Sequence, residues 1–155
     1  MIGNDLVDLQ QALKDSNWQR KGYLDKIYTP LEKKTILQCG NSTQMVWTLW
    51  SMKEAVYKIH SRKTGLRNFA PTSLVCTHIN LHGDTNSGIV CIDTIDYYTI
   101  TKIRDSYIHT LAATSPLAVS TIREVIYEYP LPLLDYKSTN PKCVSHHGRY
   151  LALIY

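Results

Sequence analysis

One segment without glycine or proline, WTLWSMKEAVYKIH at Trp47–His60, constrains the fold of this 155-residue chain more than any other. Most of its residues favour helix, so it predicts a helix of about three to four turns. Residues at helical spacing form an apolar stripe for the core: Leu49, Met52, Val56 and Ile59. Ser51, Glu54 and Lys58 share a different face. That polar line suits a metal and a phosphate, or an ordinary solvated ion pair between Glu54 and Lys58.

The composition indicates one folded domain, with 44% hydrophobic and 19% charged residues. No apolar run reaches the roughly 18 residues that a membrane helix needs, so we expect no membrane span. The first residues, MIGNDLVDLQQ, carry acids where a signal peptide has a basic segment and an apolar core. The sequence therefore predicts a cytoplasmic protein.

Cysteine spacing and net charge narrow the class of partner. The four cysteines are widely spaced and predict buried free thiols rather than a zinc site or a disulfide framework: Cys39, Cys76, Cys91 and Cys143. The net charge of +4 suits an acidic protein partner or a phosphorylated ligand. A small nucleic-acid-binding domain is an alternative that rests only on this charge and on the tyrosines, and we expect no nucleic-acid partner.

The residues before the central helix predict a strand and three helices. Ile2–Leu9 indicates a short strand, in which Gly3 permits close approach of another backbone. Asp5 either points into a site from this strand or starts a turn or helix cap. Gln10–Ile27 is predicted to be helical in two pieces, with the second at Trp18–Tyr28. A further helix begins with a capping box formed by Thr29 and Glu32.

The residues after the central helix predict an antiparallel sheet, so the expected fold class is α+β with this sheet packed on the helix. The basic loop Arg62–Asn68 either meets phosphate oxygens or simply ends the helix. Four strands form a meander, at Ser73–Ile79, Gly88–Thr94, Tyr97–Arg104 and Tyr107–Thr114. A helix is expected at Leu117–Tyr127, stopped by Pro130 and Pro132. A turn at Ser145–Gly148 leads into a closing strand at Tyr150–Tyr155.

Five stretches in order resemble motifs of the 4'-phosphopantetheinyl transferase superfamily. Gly3–Leu6 resembles its G-x-D motif, and Tyr23–Glu32 is similar to the R-x-F-x-x-R-x-L-T-x-x-E stretch of holo-acyl-carrier-protein synthases. Trp50–Lys58 resembles the W-[ST]-x-K-E-[AS]-x-x-K signature of the surfactin-type branch. Thr64–Asn68 resembles a T-G-I-R-N loop, and Ser145–Ala152 resembles the S-x-S-H-x-G-x-Y-x-A hairpin.

The resemblance implies transfer of the phosphopantetheine arm of coenzyme A to a serine of an apo acyl or peptidyl carrier protein, with release of adenosine 3',5'-bisphosphate. It implies Mg²⁺ held by Asp5 and Glu54, which matches the one or two carboxylates that Mg²⁺ prefers. Lys58 would hold the pyrophosphate and His146 the 3'-phosphate. The other residues implied at coenzyme A are Ser145, Gly65 and Lys53, although Lys53 also suits a surface or partner contact.

Two departures from the family pattern leave alternatives open. The surfactin-type branch has a second acid where this chain has Val7, which favours a two-carboxylate metal site or a non-catalytic relative that binds coenzyme A or a carrier protein. The segment Tyr98–Ala112 also fits the family hairpin, with Lys102 in place of the histidine. The base that takes the proton of the carrier serine is either a metal-bound water or Glu54 acting through such a water, and both alternatives stay open.

The resemblance also implies two kinds of protein contact. A basic helical face would meet an acidic carrier protein, or it is only a solvated surface; it consists of Arg20, Lys21 and Lys26. Larger surfactin-type enzymes join two such halves in one chain, whereas this chain has room for one. The resemblance therefore implies a homo-oligomer, with a trimer as the specific expectation.

Overall fold

A computed structural model describes residues 1–128 and 135–155 and confirms the predicted α+β class. The helices are α1 (Leu9–Asp15), α2 (Tyr23–Ile27), α3 (Pro30–Gln38), α4 (Ser42–Thr64) and α5 (Pro116–Ser120). The strands are β1 (Ile2–Asp8), β2 (Val75–His82), β3 (Thr85–Ile92), β4 (Ile95–Ile103), β5 (Tyr107–Ala113), β6 (Glu124–Glu128), β7 (Cys143–His147) and β8 (Tyr150–Ile154). Short 3-10 turns lie at Pro71–Ser73 and Tyr136–Thr139.

The main sheet has five antiparallel strands in the order β1-β5-β4-β3-β2. The predicted meander is confirmed as β2 to β5, and β1 adds to it beside β5. Helix α4 packs across this sheet and buries the apolar stripe that the sequence predicted. The helix is longer than predicted, with 23 residues, because Asn41 caps its start and Gly65 ends it in the left-handed conformation.

Strand β1 and helix α4 approach each other closely at Gly3. A side chain built at this position would place its Cβ only 2.3 Å from the carbonyl oxygen of Ala55 and 2.9 Å from Cγ1 of Ile59. Only glycine fits this separation. The predicted close approach of another backbone to Gly3 is confirmed, and it brings β1, which carries Asp5, against α4, which carries Glu54.

The chain before α4 departs from the prediction in one helix. The capping box of Thr29 and Glu32 is confirmed at the start of α3. The expected helix Trp18–Tyr28 is wrong in extent, since only Tyr23–Ile27 is helical after Gly22 with φ of 82°. Asp8, rather than Asp5, caps the following helix by accepting hydrogen bonds from the Gln10 and Gln11 amides.

A second sheet, in the order β6-β8-β7, covers the other face of the main sheet at β5. Ile154 on β8 packs with Leu111, Ala113 and Val119 in one apolar cluster. The predicted helix Leu117–Tyr127 is wrong: it divides into α5 and β6, because Glu124–Glu128 pairs with β8 instead of coiling. Pro130 and Pro132, which were expected to stop it, lie outside the described residues.

Side chains, rather than another strand, close the outer edge of β1. The Arg62 guanidinium donates to the carbonyl of Ile2, and Lys58 Nζ donates to the carbonyl of Asn4 at 2.8 Å. Further along, the Leu6 amide donates to Ser145 Oγ at 3.1 Å and the Asp8 amide to His147 Nδ1 at 2.9 Å. Four backbone groups that a neighbouring strand would otherwise pair are thereby satisfied.

The four cysteines are free thiols, as the spacing predicted, but the expectation that they are buried is confirmed only for Cys76. Within residues 1–128 and 135–155, the helices include none that is both long and apolar enough to cross a membrane.

Candidate active site

A cleft of about 350 Å³ opens where β1, α1, α2, α4 and β7 meet. Its walls combine acids, histidines and aromatic rings. The lining residues are Asp5, Leu6, Val7, Ala12, Asp15, Ser16, Tyr23, Trp47, Trp50, Glu54, His146 and His147. The cleft thus brings together Asp5, Glu54 and His146, which the sequence predicted as site residues from three distant segments.

Asp5 supplies one carboxylate from the middle of β1 and is buried. Its Oδ1 accepts a hydrogen bond from Lys58 Nζ at 3.1 Å and one from Ser145 Oγ at 3.4 Å. Its Oδ2 is buried and has no hydrogen-bond partner within the described residues. A buried carboxylate oxygen without a donor is costly, so this atom is suited to a ligand or cation.

Glu54 supplies the second carboxylate from α4, one helical turn before Lys58. Burial and, to a lesser extent, the negative charge of Asp5 raise the pKa of Glu54 to about 7, against the opposing charge of Lys58. The carboxylates of Asp5 and Glu54 therefore repel each other when both are ionised. A bound cation would relieve this repulsion, and pairs of carboxylates are common protein ligands in magnesium sites.

The two carboxylates fit a divalent cation whose remaining coordination positions are filled by other ligands. The described residues contain no cluster of three histidine, cysteine, aspartate or glutamate side chains that could hold a metal. Val7, at the position of the branch's second acid, lies 3% exposed in the cleft wall. Asp5 and Glu54 are the two predicted metal ligands that line the cleft, and phosphate oxygens and water would fill the remaining positions around an ion held there.

Lys58 links three parts of the site. Its Nζ donates to the Asn4 carbonyl at 2.8 Å, to Asp5 Oδ1 at 3.1 Å and to Ser145 Oγ at 3.1 Å. An ammonium has three N–H donors, so all of them are used in this arrangement. Lys58 therefore contributes its charge to the cleft, and direct contact with a phosphate requires it to exchange one of these acceptors.

The hairpin of β7 and β8 brings Ser145, His146 and His147 beside β1. Ser145 is buried between the Leu6 amide, Lys58 and Asp5. His146 and His147 line the cleft. The competing match of Tyr98–Ala112 lies in β4 and β5 of the main sheet, where Lys102 is paired with Glu124 and does not line the cleft. The C-terminal hairpin is the one next to the carboxylates.

Lys53 is predicted at coenzyme A, but the structure places it away from the cleft. Its side chain is completely buried, and Nζ lies 2.8 Å from Glu32 Oε2. It also donates to the carbonyls of Ile27, Pro71 and Leu74. Lys53 is therefore fixed in the interior beneath α3, and neither a ligand nor a surface partner contacts it in this arrangement.

Gly65 also lies away from the cleft. It follows the last residue of α4, about 16 Å along the helix axis from Glu54 at 1.5 Å per residue. Its positive φ of 75° ends the helix, and Arg62 and Lys63 lie in the last turn. This geometry matches the helix-ending interpretation of the basic loop.

Sequence reasoning did not assign three further cleft residues to the site. Asp15 ends α1, Tyr23 begins α2, and Trp47 lies two turns before Glu54 on α4. No motif marks Asp15, and Tyr23 is only the first residue of the Tyr23–Glu32 stretch, because the place of both in the cleft depends on how two short helices fold over β1. Trp47 could have been found, since it lies on the same helical face as Trp50 and Glu54.

The predicted basic face lies on the surface beside the cleft. Arg20, Lys21 and Lys26 are exposed, and Tyr23 between them lines the cleft. Arg20 and Lys21 also line a neighbouring surface groove of about 540 Å³ with Trp18 and Leu37.

A family model described as the 4'-phosphopantetheinyl transferase superfamily matches residues 1–112 of this chain. The match includes β1 and α4 and ends before the β7–β8 hairpin. The holo-[acyl-carrier-protein] synthase of Fusobacterium nucleatum subsp. nucleatum is similar, with 36% identity over 73 residues. That segment covers 47% of this chain and 57% of the relative, which is less than two thirds of its length.

Proposed function

Because the chain belongs to the 4'-phosphopantetheinyl transferase superfamily, we propose that it transfers 4'-phosphopantetheine from coenzyme A to a serine of an apo acyl or peptidyl carrier protein. Adenosine 3',5'-bisphosphate is the released product. The observation that carries the proposal is the pair of carboxylates, Asp5 and Glu54, in one cleft beside Lys58. The curated relative is named for the same class of transfer.

Mg²⁺ is the proposed cofactor, held by Asp5 and Glu54. When bound, it would neutralise negative charge on the phosphate oxygens of coenzyme A. The buried Oδ2 of Asp5, which has no hydrogen-bond partner among residues 1–128 and 135–155, and the raised pKa of Glu54 support this assignment.

The chain's own groups position the reacting phosphate. Lys58 adds a positive charge beside the carboxylates, and its bonds to Asn4 and Ser145 hold β1 and β7 together around it. His146 would contact the 3'-phosphate of coenzyme A, and Ser145 would lie at coenzyme A, as the resemblance implies. The aromatic wall of Tyr23, Trp47 and Trp50 is suited to the less polar pantetheine arm.

The exposed cations beside the cleft are the proposed contact for an acidic carrier protein: Arg20, Lys21 and Lys26. Their position around Tyr23 supports this assignment, because the serine to be modified must reach the cleft. Opposite charges on the two proteins would increase the rate of encounter, and added salt would reduce it. We also propose that copies of the chain associate, with a trimer as the specific expectation; sedimentation of the pure protein tests this.

Mass spectrometry of a carrier protein tests the transfer. Incubation with coenzyme A, Mg²⁺ and an apo carrier should add the phosphopantetheine mass to the carrier, and Glu54→Ala should abolish the addition. Glu128→Ala is the matched control, because Glu128 is exposed at the end of β6 and outside the cleft. If acyl and peptidyl carriers all remain unmodified and coenzyme A does not bind, the proposal is wrong.

Val7 favours a second candidate, a non-catalytic relative that binds coenzyme A or a carrier protein. This apolar residue lines the cleft where the surfactin-type branch has an acid. Tight binding of coenzyme A without any carrier modification would support this second candidate. Val7→Glu would then test whether a third carboxylate in the cleft is what turnover requires.

A further inference from the structure

The backbone of β1 fixes the ring of His147. The Asp8 amide donates a hydrogen bond to Nδ1 of His147 at 2.9 Å, and Asp8 itself is held as the cap of α1. Ser145 lies two residues before His147, and its Oγ likewise accepts a hydrogen bond from the Leu6 amide. These paired contacts join β7 to the outer edge of β1, and the histidine ring has a set position as a result.

This contact determines which ring nitrogen carries a proton. Nδ1 accepts the Asp8 N–H, so it has a free lone pair and no proton. In the neutral ring the proton must then be on Nε2. A protonated ring would carry a proton on Nε2 as well. Nε2 of His147 is therefore a hydrogen-bond donor in either state, and it cannot accept a proton from a substrate hydroxyl in this arrangement.

The Nε2–H group lies at the cleft. The side chain is 31% exposed and lines the cleft with Glu54 and Asp5. Oδ2 of Asp15 lies 3.8 Å from Nε2, which is beyond hydrogen-bond distance. Lys58, the cation beside this cleft, already uses its three donors on Asn4, Asp5 and Ser145.

We infer that His147 binds a phosphate oxygen of coenzyme A through Nε2–H and does not act as the general base. This inference rests on the proposed function. A donor of fixed position is well suited to an anionic oxygen, because hydrogen bonds to charged groups are about twice as strong as neutral ones. The oxygen belongs either to the pyrophosphate or to the 3'-phosphate, and both offer the same chemistry.

Two substitutions at His147 separate the roles of its two nitrogens. His147→Asn places an amide oxygen near the position of Nδ1, so it keeps an acceptor for the Asp8 amide but removes the distal donor. His147→Gln extends its amide towards the position of Nε2, so it restores a donor but loses the acceptor. His82→Asn is the control, because His82 is exposed on β2 and outside the cleft.

Calorimetry with Mg²⁺ and coenzyme A measures the effect without turnover. We expect His147→Asn to weaken binding by about 10- to 100-fold, His147→Gln to bind more tightly than His147→Asn, and His82→Asn to match the wild type. Repeating the titrations with dephospho-coenzyme A identifies the phosphate: a loss that disappears with this ligand assigns the contact to the 3'-phosphate, and a loss that persists assigns it to the pyrophosphate.

Two further measurements bear on the proton. The ¹⁵N shifts of the His147 ring should show a protonated Nε2 and an unprotonated Nδ1 in the free protein. Turnover of His147→Asn at saturating coenzyme A should fall by less than about 10-fold, whereas loss of a general base costs about 10²- to 10⁴-fold.

Wild-type affinity in His147→Asn, or a proton on Nδ1, would overturn the inference and leave the proposed function standing. Failure of the wild-type protein to bind coenzyme A would overturn both.

Discussion

Lys58 Nζ lies 3.1 Å from Oδ1 of Asp5, and the same ammonium donates to a backbone carbonyl of β1 and to Ser145 on β7. One cation thus balances a cleft carboxylate and holds two strands at the helix. Charge and position cannot be separated at this residue, so its substitution should affect ligand binding and stability together.

Lys58→Met should weaken coenzyme A binding by at least about 10-fold and lower the free energy of unfolding by about 1–3 kcal/mol, because a charge and three hydrogen bonds are lost. Calorimetry and urea denaturation measure the two effects. Lys34→Met, on the exposed side of α3, is the control and should leave both unchanged. An unchanged affinity in Lys58→Met would show that the cation is only structural.

The raised pKa of Glu54 predicts a stability that depends on pH and on metal. Its pKa is about 7 in the folded chain and 4.5 as its ordinary value, so the folded state binds more protons between these values. The contribution of Glu54 to stability is therefore fully present below about pH 4.5 and is lost as the pH rises through about 7.

Glu54→Gln should remove this loss, because the amide does not ionise. We expect the variant to melt at a higher temperature than the wild type at pH 8 without Mg²⁺, and at nearly the same temperature at pH 4.5. Added Mg²⁺ should raise the melting temperature of the wild type at pH 8 and leave Glu54→Gln unchanged. An equal response of both proteins to Mg²⁺ would argue against Glu54 as a metal ligand.

The buried ion pair of Lys53 and Glu32 predicts that substitutions at these two residues, which are distant in sequence, have strongly coupled effects on stability. Lys53→Met should cost about 3–5 kcal/mol, because it leaves the carboxylate of Glu32 buried without its cation. Adding Glu32→Gln should recover part of this loss, since the buried charge is then absent. Urea denaturation of the single and double variants measures the coupling, and additive costs would contradict it.

Gly3→Ala should destabilise the fold through a steric clash. The added Cβ would lie 2.3 Å from the Ala55 carbonyl oxygen, so β1 and α4 must separate at a cost of about 1–3 kcal/mol or more. Gly40→Ala is the matched control. A Cβ added at Gly40 would meet no atom of the described residues within 4 Å, and the φ of Gly40 is not positive. If Gly3→Ala is as stable as Gly40→Ala by thermal melting, the close approach is not a constraint.

The sequence predicted structure best where the pattern that determines an element lies within that element. The apolar stripe of α4, the capping box of Thr29 and the β-branched and aromatic runs of β4 and β5 are local patterns, and the structure confirms the helix, the cap and the strands that they predict. The carboxylates were found because Asp5 and Glu54 lie in recognisable motifs, and the structure brings both to the cleft.

The failures involve partners that are distant in the chain. Glu124–Glu128 has residues at helical spacing, but it forms a strand because it pairs with β8. That partner strand begins at Tyr150, far along the chain. Lys53 follows the polar pattern of a solvated helix residue, yet it is buried because Glu32 and three carbonyls surround it. Tertiary contacts override local propensity in both cases, and neither partner can be read from the segment alone.

The closed edge of β1 has a consequence for how variants of the cleft should be studied. Lys58, Ser145 and His147 cover backbone groups that would otherwise be free to pair with a strand from another molecule. Removing these side chains therefore opens a site for aggregation at the same time as it changes the cleft. An apparent loss of activity in such variants has to be corrected for the fraction of protein that stays monodisperse, which light scattering on each preparation provides.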